Sequence, residues 1–363
     1  MIGLGGGHVG GEPALPLQCL WESARLLPLT FRRIVLRAAP MTSSNPRITV
    51  VGAGSVGSYF GAMLARAGHA VTLVARADHV QAIQASGLKV RRSDSEFTVA
   101  VAATTSLDAV RGADLVLLCV KSRDTEELAR GLAPLLEPSA VVMSLQNGVE
   151  NPAVIARHVR QPVVPTAVYV ATAMPGPGEV RHFGRGELVI GPATPGEAAD
   201  PALRARLQDI AALFGTAGVP VQVSDAVMDE LWAKLLVNCA YNAISALTQQ
   251  PYGPMAALAP IRELQEQLVR EVLEVAHAEG RALDPQRARA SVEQIARSMP
   301  GQLSSTAQDL ARGKPTEIDD LNGLIVRRGA ALGIATPANQ SLYALVKLAE
   351  AARLQAGVSA TPA

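Results

Sequence analysis

A glycine-rich loop between a short apolar strand and a helix is the feature that most constrains the fold of this chain. The β-branched run Arg47–Val51 ends directly in Gly52-Ala-Gly-Ser-Val-Gly57. A helical stretch over residues 58–67 follows, and then a second apolar run over 70–75. The order strand, GxGxxG, helix, strand within about 30 residues is typical of the first unit of a doubly wound α/β fold.

Each glycine of this loop has its own steric role. Gly52 permits the tight turn, Gly54 lets the backbone approach a pyrophosphate, and Gly57 lets the helix pack closely on the strand. The free N–H groups at the helix start then face the phosphates. The sequence therefore predicts a dinucleotide-binding loop made of Gly52, Ala53, Gly54, Ser55, Val56 and Gly57.

The residue that follows the second strand indicates which dinucleotide binds. An acid there binds the ribose hydroxyls of NAD, whereas a cation suits the 2′-phosphate of NADP. Arg76 occupies the position, and no acid occurs between residues 23 and 77. Asp78 follows closely and is the alternative ribose ligand. We therefore expect NADP(H).

Polar residues follow the next two predicted strands, 114–120 and 140–145, which a helical stretch over 125–136 separates. In an open parallel sheet the carboxyl ends of the strands line the ligand crevice. Lys121 and Asn147 stand at these ends, so we expect both to meet cofactor or substrate. The later runs that can complete the sheet, or form a hairpin near 175–178, are 163–170, 187–190 and 219–223.

From about residue 225 the pattern becomes helical, and the stretch 231–248 is apolar nearly all round. This predicts a buried helix. Its polar residues Lys234, Asn238 and Asn242 recur every fourth position, so they share one face. Because a buried ammonium is costly without a partner or ligand, we expect this stripe to line a polar crevice.

A second polar group lies downstream of this helix. It includes Ser305 and the segment that begins with Pro315. Pro315 predicts a helix start, and the helix dipole alone would favour the carboxylate of Glu317 in the first turn. The functional alternative makes Glu317 the carboxylate that pairs with, or orients, Lys234.

Composition excludes several classes of protein. Hydrophobic residues make up 48% and charged residues 18% of the chain, and 33 basic residues nearly balance 32 acidic ones. Neither a disordered polyelectrolyte nor a nucleic-acid partner is indicated. The three cysteines and six histidines have no metal-ligand spacing, and no apolar run approaches the roughly 18 residues of a membrane span. We expect a cytoplasmic protein without metal or membrane partner.

The domain organisation follows from these patterns. We expect an α/β fold with an N-terminal Rossmann-like dinucleotide-binding domain over 47–224, and an all-helical C-terminal domain over 225–356. Residues 357–363 form a tail. Residues 1–46 are predicted to be a disordered extension or the result of an early start codon, and an organelle transit peptide is the alternative.

The ordered set of motifs resembles the ketopantoate reductase (2-dehydropantoate 2-reductase) family. It covers residues 47 to about 350, nearly the whole chain after the extension. The motifs are GAGSVG, Val120-Lys121, Leu-Gln-Asn147-Gly, His182-Phe-Gly-Arg-Gly-Glu-Leu, Leu-Trp-Ala-Lys234-Leu-Leu-Val-Asn238-Cys-Ala-Tyr-Asn242, Ser-Ser305-Thr-Ala-Gln-Asp, Thr-Glu317-Ile-Asp-Asp-Leu-Asn-Gly and Gly333-Ile-Ala-Thr-Pro337.

The resemblance implies NADPH-dependent reduction of a 2-keto acid, 2-dehydropantoate, to pantoate in pantothenate biosynthesis. By position, Lys234 matches the family's proton donor, and Glu317 matches its partner near the nicotinamide ribose and the substrate. The positions that match substrate contacts are Asn147, Asn238, Asn242 and Ser305. Those that match cofactor contacts are Arg76, Lys121, Asn147, Glu317 and, through its backbone, Ala171.

One position departs from the family pattern. The family usually shows Pro-Asn-Gly where this chain has Pro251-Tyr252-Gly253. We keep Tyr252 as a substrate contact, and it favours a keto acid with a more apolar far end. Two alternatives therefore stay open: an NADP-dependent dehydrogenase of another 2-keto or 3-hydroxy acid, and a non-catalytic NADPH sensor. A further hypothesis is that two copies of the chain form a homodimer.

Overall fold

The computed structural model describes residues 45–359, with side chains up to residue 353. The extension predicted over residues 1–46 lies outside this range apart from its last two residues. The described strands are β1 (Arg47–Val51), β2 (Ala70–Val74), β3 (Leu88–Arg91), β4 (Glu96–Val99), β5 (Ala102–Thr104), β6 (Leu115–Leu118), β7 (Val141–Ser144), β8 (Val163–Gly176), β9 (Glu179–Ile190) and β10 (Val221–Val223).

These strands form one mixed sheet in the order β4-β3-β9-β8-β7-β6-β1-β2-β5, with β10 paired to β9. The run from β8 to β5 is parallel, whereas β8 and β9 form a long antiparallel hairpin. Strands β6 and β7 are buried at every residue, because helices cover both faces of the parallel part. This explains their unbroken apolar sequence.

The described helices connect and cover the sheet and then form the C-terminal half. They are α1 (Ser55–Arg66), α2 (Ala77–Ser86), α3 (Thr125–Leu132), α4 (Asn151–Ala156), α5 (Pro195–Ala198), α6 (Pro201–Thr216), α7 (Val227–Thr248), α8 (Tyr252–Ala257), α9 (Ala259–Ala278), α10 (Pro285–Ser298), α11 (Ser305–Ala311), α12 (Asn322–Leu332) and α13 (Pro337–Ser359). Short 3₁₀ turns cover Leu107–Val110, Ser122–Asp124 and Ile318–Asp320.

Separate apolar clusters stabilise the two faces of the sheet and the helical half. On one face, Phe60 of α1 meets Phe214 of α6 edge to face, with ring centroids 6.3 Å apart. On the other, Leu132 of α3 and Ile155 of α4 are buried against the strands. In the helical half α7 lies at the centre, and its cluster extends to Ala167 of β8. Helix α7 therefore lies directly against the strand-rich half.

The sequence prediction was right about the first βαβ unit and about the long helix α7, and it differed from the structure in several places. Pro315 does not start a helix. It lies in a loop, Glu317 precedes the 3₁₀ turn Ile318–Asp320, and α12 begins only at Asn322. The predicted helix over 125–136 ends at Leu132.

Further differences concern the strands and the C-terminus. The antiparallel pair β3–β4 was not predicted, because its charged and partly exposed residues lack a long apolar run. The chain expected as a tail from residue 357 continues α13 as far as Ser359. Among the described residues, each helix is too short or too polar to cross a membrane.

Candidate active site

The glycine loop is held tightly at the end of β1. The N–H groups of Gly52 and Ala53 both donate to the carbonyl of Val74, each at 3.0 Å. Gly52 has a φ of +87°, and a Cβ there would lie 2.5 Å from Val120 Cγ1. Only glycine therefore fits this turn.

The loop leaves open space on the side that faces the cleft. A Cβ on Gly54 would meet nothing closer than 4.0 Å, whereas a Cβ on Gly57 would lie 2.8 Å from the Gly52 carbonyl oxygen. The first turn of α1 contains no acidic side chain, so its free N–H groups can donate hydrogen bonds to an anion. These features suit the pyrophosphate of a dinucleotide.

A cleft of about 1770 Å³ lies between the carboxyl ends of the parallel strands and the helices α7, α10 and α11. Pockets for one small molecule usually measure about 300–1,000 Å³, so this cleft has room for a dinucleotide and a second ligand. Every predicted site residue except Gly57 lines the cleft. Gly57 lies beneath the loop and packs on Val50.

Lys234 extends from α7 into this cleft, as the polar stripe predicted. Its Nζ atom donates to Asn147 Oδ1 at 3.0 Å. Burial lowers the pKa of Lys234 to about 8, an effect that Glu317 opposes and Arg185 reinforces. An ammonium with this pKa is largely charged near neutral pH, yet it releases its proton readily.

Asn147 connects Lys234 to Glu317. Its Nδ2 atom donates to Glu317 Oε2 at 3.2 Å, while its Oδ1 atom accepts from the ammonium. Because the ammonium only donates and the carboxylate accepts, the amide has one orientation. The described side chains show no direct ion pair between Lys234 and Glu317, and Asn147 bridges the two groups instead.

Lys121 binds two carboxylates of the helical half. Its Nζ atom donates to Asp309 Oδ2 at 2.8 Å and to Glu317 Oε2 at 3.1 Å. Burial alone would lower the pKa of Lys121, but Glu317 and Asp309 outweigh it and raise the pKa above its ordinary value. Sequence analysis did not single out Asp309, and its place in the Ser-Ser305-Thr-Ala-Gln-Asp motif was the available signal.

A buried polar network beneath Asn147 fixes the strand ends. Asn151 donates to the Asn147 carbonyl at 2.7 Å and to Ser122 Oγ at 2.9 Å, and it accepts from Thr125 at 2.8 Å. Gln146 donates to Thr125 Oγ1 at 2.6 Å. The sequence analysis missed these supporting residues, although polar residues at successive strand ends were a signal for them.

The other end of the cleft combines polar and aromatic groups. Tyr252 is only 9% exposed, and its ring centroid lies 4.9 Å from that of Tyr241. Within residues 45–353, the Tyr252 hydroxyl and the side-chain amides of Asn238 and Asn242 have no hydrogen-bond partner, and all three residues line the cleft. Exposed Ser305 lines the same cleft. These groups are therefore available to a ligand.

Arg76 stands at the N-cap of α2, exposed and two residues beyond the end of β2. It has no ion-pair partner in the described part of the chain, and it lines the cleft together with Asp78. Ala171 lines the cleft from β8. The described residues contain no group of three or more His, Cys, Asp or Glu side chains that could hold a metal ion.

A Rossmann-type loop that shares one cleft with a partly buried lysine, an amide and a carboxylate defines a nicotinamide-dinucleotide-dependent oxidoreductase. Comparison with known families agrees. Residues 48–195 match the family described as ketopantoate reductase PanE/ApbA, and residues 226–350 match the C-terminal part of that family. The chain belongs to the ketopantoate reductase family.

Curated relatives support this membership over nearly their full length. The 2-dehydropantoate 2-reductase of Halobacterium salinarum is 36% identical over 310 residues, which cover 84% of this chain and 99% of the relative. The 2-dehydropantoate 2-reductase of Vibrio cholerae is 32% identical over 304 residues, which cover 84% and 97%.

Solved structures confirm the predicted fold. A PanE/ApbA family ketopantoate reductase from Ralstonia eutropha is 51% identical, with a TM-score of 0.78 over 85% of this chain and 99% of that one. A D-mandelate dehydrogenase, solved with NADH and anilino(oxo)acetate, is 26% identical, with a TM-score of 0.79 over 85% and 99%.

Proposed function

We propose that this protein reduces 2-dehydropantoate to pantoate with NADPH. The observation that carries the proposal is the chain from Lys234 through Asn147 to Glu317, at 3.0 and 3.2 Å, in the cleft that the dinucleotide loop also lines. A 2-keto acid reductase needs a proton donor beside its cofactor, and a non-catalytic sensor does not. This favours an enzyme over the sensor.

Lys234 acts at the substrate carbonyl. When bound, the reduced nicotinamide supplies the hydride that the carbonyl carbon accepts. The Lys234 ammonium stabilises the negative charge on the carbonyl oxygen and gives that oxygen its proton. Asn147 holds the ammonium in place, and Glu317 fixes the orientation of the Asn147 amide. Glu317 thus acts on Lys234 through Asn147.

The remaining unpaired groups bind the two ligands. Asn238, Asn242 and Ser305 bind the carboxylate and hydroxyl of the keto acid, since their side chains line the cleft on the same side as Lys234. Arg76 binds the 2′-phosphate of NADPH, because it is an unpaired cation at the end of β2. The glycine loop binds the pyrophosphate.

A second candidate substrate is a 2-keto acid with an aromatic or branched apolar substituent. The buried ring of Tyr252, packed 4.9 Å from Tyr241, favours it because this surface is largely apolar. A D-mandelate dehydrogenase of similar fold was solved with anilino(oxo)acetate, which supports the same preference for an apolar substituent. A cytoplasmic location and a homodimer stay predictions, which cell fractionation and analytical ultracentrifugation test.

The test follows NADPH absorbance with the purified full chain and a panel of 2-keto acids. The panel contains 2-dehydropantoate, pyruvate, 2-ketoisovalerate and phenylglyoxylate, each with NADPH and with NADH. We expect the highest kcat/KM for 2-dehydropantoate with NADPH. A higher value for phenylglyoxylate would favour the second candidate, and no oxidation with any keto acid would contradict both.

A further inference from the structure

His79 joins three segments of the strand-rich half and lines the cleft, but it makes no hydrogen bond to Lys234, Asn147 or Glu317. It lies in the first turn of α2 and is 3% exposed. The N–H of Gly178, in the turn between β8 and β9, donates to its Nδ1 atom at 2.8 Å. Its Nε2 atom lies 3.1 Å from Ser58 Oγ of α1.

The direction of these hydrogen bonds follows from the donors. A backbone N–H only donates, so Nδ1 of His79 accepts and the ring proton lies on Nε2, which donates to Ser58. The Ser58 hydroxyl in turn donates to the carbonyl of Ala53 at 3.0 Å. Burial lowers the pKa of His79, and Asp78 opposes this effect. The lowered pKa favours the neutral ring, which this arrangement requires. The chain therefore runs from the hairpin turn to the dinucleotide loop.

Gly178 is also held by its other neighbours. Its carbonyl accepts from the N–H of Lys89 at 2.9 Å. Its φ is +73°, and a Cβ there would lie 2.9 Å from Ala82 Cβ of α2. The hairpin turn therefore rests directly on α2. The neighbouring residues Pro175–Pro177 line the same cleft as Arg76, which precedes α2.

We propose that His79 is a positioning residue for the cofactor. By accepting from the Gly178 N–H it holds the hairpin tip, residues 174–178, against α2, and there the tip forms one wall of the subsite for the adenosine ribose and its 2′-phosphate. This rests on the proposed use of NADPH. The contacts of Lys234 involve other elements, so loss of His79 weakens cofactor binding and leaves the carbonyl chemistry intact.

Two variants of similar shape separate the two bonds of the imidazole. The amide oxygen of His79→Asn lies near the position of Nδ1 and retains an acceptor for Gly178. The amide of His79→Gln lies near the position of Nε2, so it retains the bond to Ser58 and loses the one to Gly178. Titration calorimetry of the full chain measures the Kd of NADPH. We expect His79→Gln to raise this Kd about five- to ten-fold with kcat at saturating NADPH unchanged, and His79→Asn to stay within about two-fold.

A second readout needs no cofactor. Amide hydrogen exchange of the NADPH-free chain reports the protection of the Gly178 N–H, which His79→Gln should lose and His79→Asn should keep. His69→Gln is the control, because His69 bonds to Thr216 at 2.7 Å and is not among the residues that line the cleft.

Equal NADPH affinities of the two His79 variants would overturn the proposal. So would an unchanged affinity in His79→Gln when the Gly178 protection is lost. If the wild-type chain binds NADPH but does not reduce 2-dehydropantoate, the proposed function fails while the comparison of the His79 variants keeps its meaning. The two failures are therefore distinguishable.

Discussion

The ammonium of Lys121 lies 2.8 Å from the Oδ2 atom of Asp309, and this ion pair joins the end of β6 to helix α11. The same ammonium also binds Glu317, at 3.1 Å. One cation of the strand-rich half therefore holds two carboxylates of the helical half. The two carboxylates differ in their other partners, because Glu317 also accepts from Asn147 Nδ2 and from the Ser122 N–H.

This difference predicts opposite outcomes for two matched amide variants. Glu317→Gln loses the anion that orients Asn147 and Lys234, and we expect kcat to fall about 10²-fold or more. Asp309→Asn breaks only a partly exposed ion pair, so the free energy of unfolding should fall by no more than about 1 kcal/mol. Steady-state kinetics and thermal denaturation of both variants test this. Equal losses of kcat would show that the contact with Asn147 has no special role.

The lowered pKa of Lys234, about 8, predicts the pH dependence of both directions of the reaction. Reduction needs the charged ammonium as proton donor, so kcat/KM should decline as the pH rises through about 8. Oxidation of the 2-hydroxy acid needs the neutral amine and should increase over the same range. Rate profiles in both directions test this, and parallel profiles would contradict it.

Replacement of the same lysine tests its role directly. Lys234→Ala should lower kcat about 10²–10⁴-fold, with little change in the Kd of NADPH, because its proposed role is at the carbonyl. Lys314→Ala is the matched control, since Lys314 is exposed at the same cleft and forms no ion pair within residues 45–353. A near-normal kcat in Lys234→Ala would contradict the assignment of Lys234 as proton donor.

Arg76 should discriminate between the two nicotinamide cofactors. Arg76→Ala removes the charge that we propose binds the 2′-phosphate, so binding of NADPH should weaken by about 1.5–3 kcal/mol while NADH is almost unaffected. Binding titrations with both cofactors measure this. Arg157→Ala, at an exposed position after α4, serves as control. Equal losses for NADPH and NADH would exclude Arg76 as the discriminating residue.

Tyr252 should affect the choice of keto acid. Tyr252→Asn introduces an amide into the cleft that Asn242 also lines, and it removes the ring that packs on Tyr241. We expect kcat/KM for 2-dehydropantoate to rise relative to that for phenylglyoxylate, because the amide can bind a hydroxyl and the apolar surface is lost. Tyr252→Phe keeps the ring and separates the two effects. An unchanged ratio in Tyr252→Asn would mean that this position does not set specificity.

A stability prediction concerns Glu271, which is buried in the helical half. Its carboxylate accepts from the N–H groups of Ala338 and Asn339, each at 2.9 Å, at the start of α13. Glu271→Ala leaves these donors unpaired and should lower the free energy of unfolding by about 2–5 kcal/mol. Glu274→Ala, at an exposed position on the same helix, is the control. Chemical denaturation measures the free energy of unfolding of both variants. A loss below that of Glu274→Ala would contradict this role.

Local patterns in the sequence predicted the parts of the molecule that local interactions determine. The glycine loop needs only its neighbours in the chain, and the stripe of Lys234, Asn238 and Asn242 follows from helical periodicity alone. Both lie in the cleft as expected.

The contacts that hold the two halves together were beyond such patterns. Lys121 meets Asp309 across 188 residues of sequence, and Asn147 meets Glu317 across 170. These pairs depend on how α11 and the loop before α12 pack against the strand ends, which no local periodicity encodes. The start of α12 was misplaced for a related reason. Thr316 accepts from the N–H of Ile318 and stabilises a turn, so the helical signal of Pro315 is overridden by side-chain hydrogen bonding.

Helix α7 has a consequence for how the substrate is held. Lys234, Asn238 and Asn242 lie on one rigid element, about 6 Å apart along its axis at each step. Any change in the distance between α7 and the dinucleotide loop would therefore leave the spacing between the proposed proton donor and the amides unaltered. A keto acid bound along α7 as proposed would therefore meet these three side chains at fixed intervals. A substitution beyond the end of α7, as at Tyr252, would then change which substrate length fits. The position of Lys234, the proposed acid, would stay the same.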